Sequence, residues 1–136
     1  SNIYFKNTYN VDKLISTKRL TKYEETEGEI YAECGVNVAK LSREMVRKGY
    51  AGFEGLIDLP GTVGGAIYGN SGCYGCHLSD VLTDATVLLE DGSYVVYGKD
   101  EMGFTFRSSD FKTGKKKGGQ AGHKGTTLTK AEVEAL

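Results

Sequence analysis

Between Leu56 and Gly75 the chain reads LIDLPGTVGGAIYGNSGCYG, and Gly55 just before it brings the run to seven glycines beside the only proline, Pro60. Backbone without Cβ atoms can lie flush against a ring system, and its N–H groups can reach an anionic group directly. Glycine costs roughly 1 kcal/mol per helical position relative to alanine, so the composition argues against a regular helix or strand here. A flexible linker fits poorly too. Linkers are polar, whereas this run is threaded with Leu56, Ile57, Leu59, Val63, Ile67 and Tyr68. The composition therefore predicts a close-approach loop against a flat or anionic ligand.

Three other groupings could carry chemistry. Cys73, Cys76 and His77 match the C-x-x-C-H pattern of covalent haem attachment, with Met45, Met102 or His123 as candidates for the opposite axial ligand. The same cysteines could form a redox pair or half a zinc site, but no second ligand pair has zinc spacing. Two small buried residues flanking a turn is the favoured reading. The lysine- and glycine-rich stretch 112–125 falls short of a phosphate loop, because a match starting at Gly118 needs glycine where His123 stands. It reads as a solvated basic loop that could also swing over an anionic ligand. Finally, FTFRSSDFK at 104–112 sets Arg107 among aromatic residues. A surface salt bridge and a planar fork for a carboxylate or phosphate are equally open on spacing alone.

The elements that must position these groups are partly legible. Glu29 to Cys34 alternates as a strand. Asn37 is a helix N-cap, and Val38, Leu41, Ser42, Met45 and Val46 fall on one face. Arg47, Lys48 and Gly49 then suit a C-terminus, so 37–49 is predicted as an amphipathic helix. Ala85–Glu90 and Ser93–Tyr97 flank Asp91-Gly92, which predicts a hairpin with a two-residue type I′ loop. Residues 1–12 read as buried or edge strand. Residues 112–125 read as loop or disordered chain. Thr129 and Glu132 form a capping-box pattern that predicts a helix start. Both ends look cut from something longer.

A chain of 136 residues with a net charge of −1 is one domain or part of one, and gives no reason to expect nucleic acid as a partner. No apolar run approaches the ~20 residues of a membrane span. The N-terminus has no charged-then-apolar export segment, so a soluble, cytoplasmic protein is expected. Three cysteines argue against a closed disulfide framework.

GFEGLIDLPGTVGGAIYGNSGCYG at 52–75, together with GFTFRSSDFK at 103–112, resembles the UDP-N-acetylenolpyruvoylglucosamine reductase family, also called UDP-N-acetylmuramate dehydrogenases, of peptidoglycan precursor synthesis. The likeness spans about residues 1–112. The glycine pattern alone is shared with the wider vanillyl-alcohol-oxidase-type flavoproteins, and the arginine segment narrows it. The resemblance implies an α+β fold, with a mixed, largely antiparallel sheet and packed helices. It implies noncovalent FAD, with NADPH as reductant, and hydride transfer to the enolpyruvyl double bond of a UDP-sugar. By that likeness Pro60, Gly61, Thr62, Val63, Gly64 and Gly65 wrap the flavin, and Asn70 and Gly72 continue the wall. Tyr74 corresponds to the tyrosine facing the substrate diphosphate. Arg107 corresponds to the arginine that holds the substrate carboxylate and steadies the enolate. No metal is implied.

The departures are specific. The family's first flavin subdomain with its G-x-G-S-N loop, its proton-donating serine in G-S-x-F-K-N-P and its later glutamate are not found. Cys73 stands where alanine is usual. Residues 113–136 carry no likeness and remain a basic loop and short helix of unassigned role. Turnover by this chain alone is not expected, and a complementing chain or further domains are called for. A non-catalytic flavin or nucleotide-sugar binding module is the alternative, and a haem electron carrier the third reading.

Overall fold

The computed structural model describes residues 15–116 and, for the backbone, 120–129. Strands β1 (Tyr23–Thr26) and β2 (Glu29–Ala32) form an antiparallel hairpin. Glu27 and Gly28 both have positive φ, the geometry of a two-residue type I′ loop. Helix α1 (Val38–Arg47) follows as its sequence predicts. The Asn37 side chain accepts from the Lys40 N–H at 2.8 Å, and Gly49 closes the other end at φ +86°. Val38, Leu41, Ser42 and Met45 are buried, whereas Val46 is exposed and leaves the expected face.

The glycine run differs from expectation. Val63–Gly69 is a helix, α2, capped by the Thr62 side chain. Burial of Val63, Ala66 and Ile67 offsets the poor propensity. So do two tertiary hydrogen bonds, from Val63 N–H to the Val36 carbonyl and from Gly64 N–H to the Cys34 carbonyl, each at 2.9 Å. The chain leaves α2 through Asn70 in the left-handed region, and Ser71 N–H returns to the Ala66 carbonyl, a Schellman closure.

A short hairpin comes next, β3 (Gly72–Cys73) and β4 (Cys76–His77), followed by α3 (Leu78–Val81). Strands β5 (Leu82–Leu88) and β6 (Tyr94–Gly98) form the hairpin expected around Asp91-Gly92. Its loop is not type I′. Only Gly92 has positive φ, and Gly92 N–H bonds the Leu89 carbonyl, so the loop is a type I turn closed by a left-handed glycine. The chain then passes through α4 (Asp110–Thr113).

Gln120–Thr129 is a strand, β7, which corrects the expectation of a loop through 125. It pairs antiparallel with both β2 and β5, giving the order β1-β2-β7-β5-β6. The strand expected in 1–12 and the helix expected beyond Thr129 lie outside the described residues. Every described strand pair is antiparallel, and α1 and α2 pack with the sheet around a core that includes Ile30, Leu41, Met45, Phe53, Val63, Ile67, Ala85 and Val87. No helix among the described residues is long and apolar enough to cross a membrane.

Candidate flavin and substrate cleft

Pro60, Gly61, Thr62, Gly65, Gly72 and Arg107 line one cleft of ≈ 590 Å³. That volume lies within the roughly 300–1,000 Å³ usual for ligand sites. Leu59, Ala66, Tyr68, Ser71 and Cys73 complete the lining. The glycine run and the arginine segment, well separated in sequence, therefore meet at one place.

The wall is built by the N-terminal half of α2. The Val38–Gly61 and Val63–Val36 backbone bonds fasten the chain on either side of Thr62 to the start of α1. Thr62 itself is a non-bonded bridge partner of Asn37, and among the described residues the Gly61 and Thr62 N–H groups donate to no protein acceptor. Gly65 is exposed on the cleft side. A Cβ built there meets only the Thr62 Oγ1, at 3.4 Å, so a side chain would project into the cleft. Gly61 needs its glycine for a different reason, a φ of +113°. These are features a flat, anionic cofactor can use: bare backbone at Gly65, two backbone donors with no protein acceptor, and no carboxylate in the lining. The residues present fit a flavin.

Other expected wall residues lie elsewhere. Val63 and Gly64 are buried behind the cleft face, and their N–H groups are taken by Val36 and Cys34. Gly65 N–H bonds Thr62 Oγ1 at 3.4 Å and Ala66 N–H the Thr62 carbonyl at 2.8 Å. Of the expected donors, only the Gly61 and Thr62 N–H groups are left without a protein acceptor among the described residues. Asn70 is buried and absent from the lining, with both ends of its amide bonded to protein. Gly72 lines the cleft through its backbone. A Cβ there would come within 2.4 Å of the Cys76 carbonyl oxygen and 2.6 Å of the His77 ring.

Tyr74 sits at the tip of the β3–β4 hairpin, 77% exposed and outside the cleft lining. Tyr74 and Gly75 have φ of 50° and 78°, so the type I′ loop expected at Asp91-Gly92 occurs here instead. Cys73 and Cys76 are cross-strand partners flanking that turn, half-buried against the core, in line with the favoured structural reading of the pair. His77 N–H bonds the Asp80 carboxylate at 2.7 Å at the start of α3. Cys34 is buried, and that burial pushes its thiol pKa up, which keeps it protonated and inert.

Arg107 stands on a tight reversal. Thr105 and Ser108 exchange two backbone hydrogen bonds, at 3.0 and 3.2 Å, and Arg107 has a φ of 55°. Lys112 Nζ donates to the Arg107 carbonyl at 2.9 Å. The guanidinium lies 5.6 Å from the centre of the exposed Phe106 ring and has no carboxylate partner among the described residues. Of the two readings left open by the sequence, the salt bridge is not formed there. The planar fork is left for an anion entering the cleft.

Sequence reasoning missed Tyr68, Ser71 and Cys73 as lining residues. It also missed that Thr62, Gly65 and Ala66 share a helix face, a spacing of three and four that was present in the letters.

Comparison with known proteins identifies the family of the chain. The family described as FAD binding domain matches residues 1–98. The chain is 37% identical over 99 residues to the UDP-N-acetylenolpyruvoylglucosamine reductase of Caldicellulosiruptor saccharolyticus, covering 73% of this chain and 32% of that protein. It is 41% identical over 93 residues to the reductase of the same name from Chloroflexus aggregans, covering 68% and 31%. The solved structure of the reductase from Thermus caldophilus superposes with a TM-score of 0.58 at 30% identity, over 73% of this chain and 34% of that one. The chain spans about a third of the length of the curated relatives it matches.

Proposed function

Because this chain belongs to the FAD-binding-domain family, we propose that it forms one wall of the active site of a flavin-dependent reductase that converts a UDP-N-acetylglucosamine enolpyruvate to UDP-N-acetylmuramate. The observation that carries this reading is the meeting of a bare backbone wall and a carboxylate-free arginine in one cleft. Bound FAD, recharged by NADPH, supplies the hydride chemistry. Pro60, Gly61, Thr62 and Gly65 would hold the flavin, with the Gly61 and Thr62 N–H groups free to donate to it. Arg107 binds the substrate carboxylate through two parallel N–H···O bonds and stabilises the negative charge that builds on the enolate. Gly72 continues the wall towards Arg107. Tyr74, on the exposed tip of the β3–β4 hairpin, would face the substrate diphosphate.

The proton that quenches the enolate comes from the remainder of the enzyme, so this chain alone does not turn over. We place the protein in the cytoplasm, where nucleotide sugars and NADPH are dissolved.

In the complete reductase, Arg107→Ala is expected to lower kcat about 10²–10³-fold, the usual loss for one donor to a developing oxyanion, while flavin content is retained. Parallel loss of flavin and turnover would mean that Arg107 only supports the fold. A colourless complete protein that takes up no added FAD would remove the assignment and favour a nucleotide-sugar binding module.

A further inference from the structure

We propose that Asn70 is a positioning residue for Arg107, setting the arginine reversal relative to the flavin wall. This rests on the role given to Arg107 above. The side-chain amide of Asn70 donates from Nδ2 to the Thr105 carbonyl at 2.9 Å, and Thr105 is the first residue of the reversal that carries Arg107. Its Oδ1 accepts the Ser79 N–H at 3.3 Å. With a backbone donor on one side and a carbonyl on the other, only one orientation of the amide satisfies both. One residue beyond the reversal, Ser109 Oγ donates to the Tyr68 carbonyl at 2.6 Å. The last turn of α2 therefore grips the reversal on both flanks.

The same helix presents Thr62 and Gly65 to the cleft at its other end. The separation of the flavin wall from the guanidinium is then fixed by one rigid element and one buried amide. Asn70 is suited to this place because its φ of 42° and ψ of 55° are left-handed, which asparagine tolerates better than other side chains of its reach. Its burial keeps water from competing for the Thr105 carbonyl.

Asn70→Asp tests this. It keeps shape, left-handed tolerance and the acceptor for Ser79, and it deletes the donor to Thr105. In this chain, amide hydrogen exchange at Thr105 and Ser108 is expected to rise about tenfold, the loss of one buried hydrogen bond, with Ala85 and Val87 in β5 unchanged. Unchanged exchange at Ser108, or faster exchange through β5 as well, overturns the proposal. In the complete reductase, Asn70→Asp is expected to lower kcat/KM with flavin retained, and to add nothing to Arg107→Ala. Additive losses overturn it. Should Arg107→Ala itself cost no activity, the catalytic reading of Arg107 falls, and the exchange measurement alone decides whether Asn70 holds the reversal.

Discussion

Gly65 should separate stability from cofactor binding, and with opposite signs. It lies inside α2 at ordinary helical φ, faces the cleft, and leaves a new Cβ only the Thr62 Oγ1 at 3.4 Å. Gly65→Ala therefore removes the glycine penalty without a clash and should stabilise the chain by about 0.5–1 kcal/mol. Gly65→Leu keeps most of that gain, yet sends four carbons into the cleft proposed for the flavin. Overfilling a packed site costs roughly 1–3 kcal/mol, which on the bound state is about 5–150-fold in flavin affinity. Thermal unfolding of the chain reads the first effect, and flavin absorbance per protein in the complete reductase reads the second. Gly64→Leu is the contrast. Gly64 is buried and its N–H is bonded to the Cys34 carbonyl, so that change should act on folding first. Normal flavin content in Gly65→Leu, or a lower melting temperature in Gly65→Ala, would refute the close-approach argument.

Two further outcomes are expected. Gly55→Ala puts a Cβ 2.4 Å from Cys76 Sγ and 2.6 Å from Cys76 Cβ, so urea unfolding should show a loss of roughly 1–3 kcal/mol; Gly55→Ala with Cys76→Ala should recover part of it. The hydrogen bond from Tyr23 holds the Glu44 carboxyl below its ordinary 4.5, so its contribution is present above 4.5 and is lost as pH falls through the lowered value; Glu44→Gln should be less stable than the parent chain at neutral pH, and the two should converge as the pH falls through that acid window.

Local signals that were self-sufficient read correctly. Asn37, the apolar spacing through Met45 and Gly49 specify α1 without help from the rest of the chain. The hairpin around Asp91-Gly92 was legible as a hairpin, but not its loop, because the flanking register from Leu88 to Tyr94 leaves room for a type I turn and one left-handed glycine. Helix α2 was illegible for the reason that its letters argue against it. What forms it is distant: the carbonyls of Val36 and Cys34, and a core that accepts Val63 and Ile67. Strand β7 was hidden in the same way, since its pairing is set by the open edges of β2 and β5 and not by its own composition. The family likeness named Pro60, Gly61, Thr62, Gly65, Gly72 and Arg107, which line one cleft, together with Val63, Gly64, Asn70 and Tyr74, which do not. It could not tell Gly65, which lines the cleft, from Gly64, which is buried, nor show that the Asn70 side chain bonds the Thr105 carbonyl.

Tyr74 and Arg107 share a backbone conformation that side-chain-bearing residues avoid, at a cost of about 1–2 kcal/mol each. Selection for foldability alone would place glycine or asparagine at both tips. A screen for heat resistance in this protein should therefore drift towards Tyr74→Asn and Arg107→Gly, at the two positions proposed to meet the substrate. Glu27 adopts the same conformation on the β1–β2 hairpin, outside the cleft lining, so a stabilising exchange there leaves the cleft lining intact.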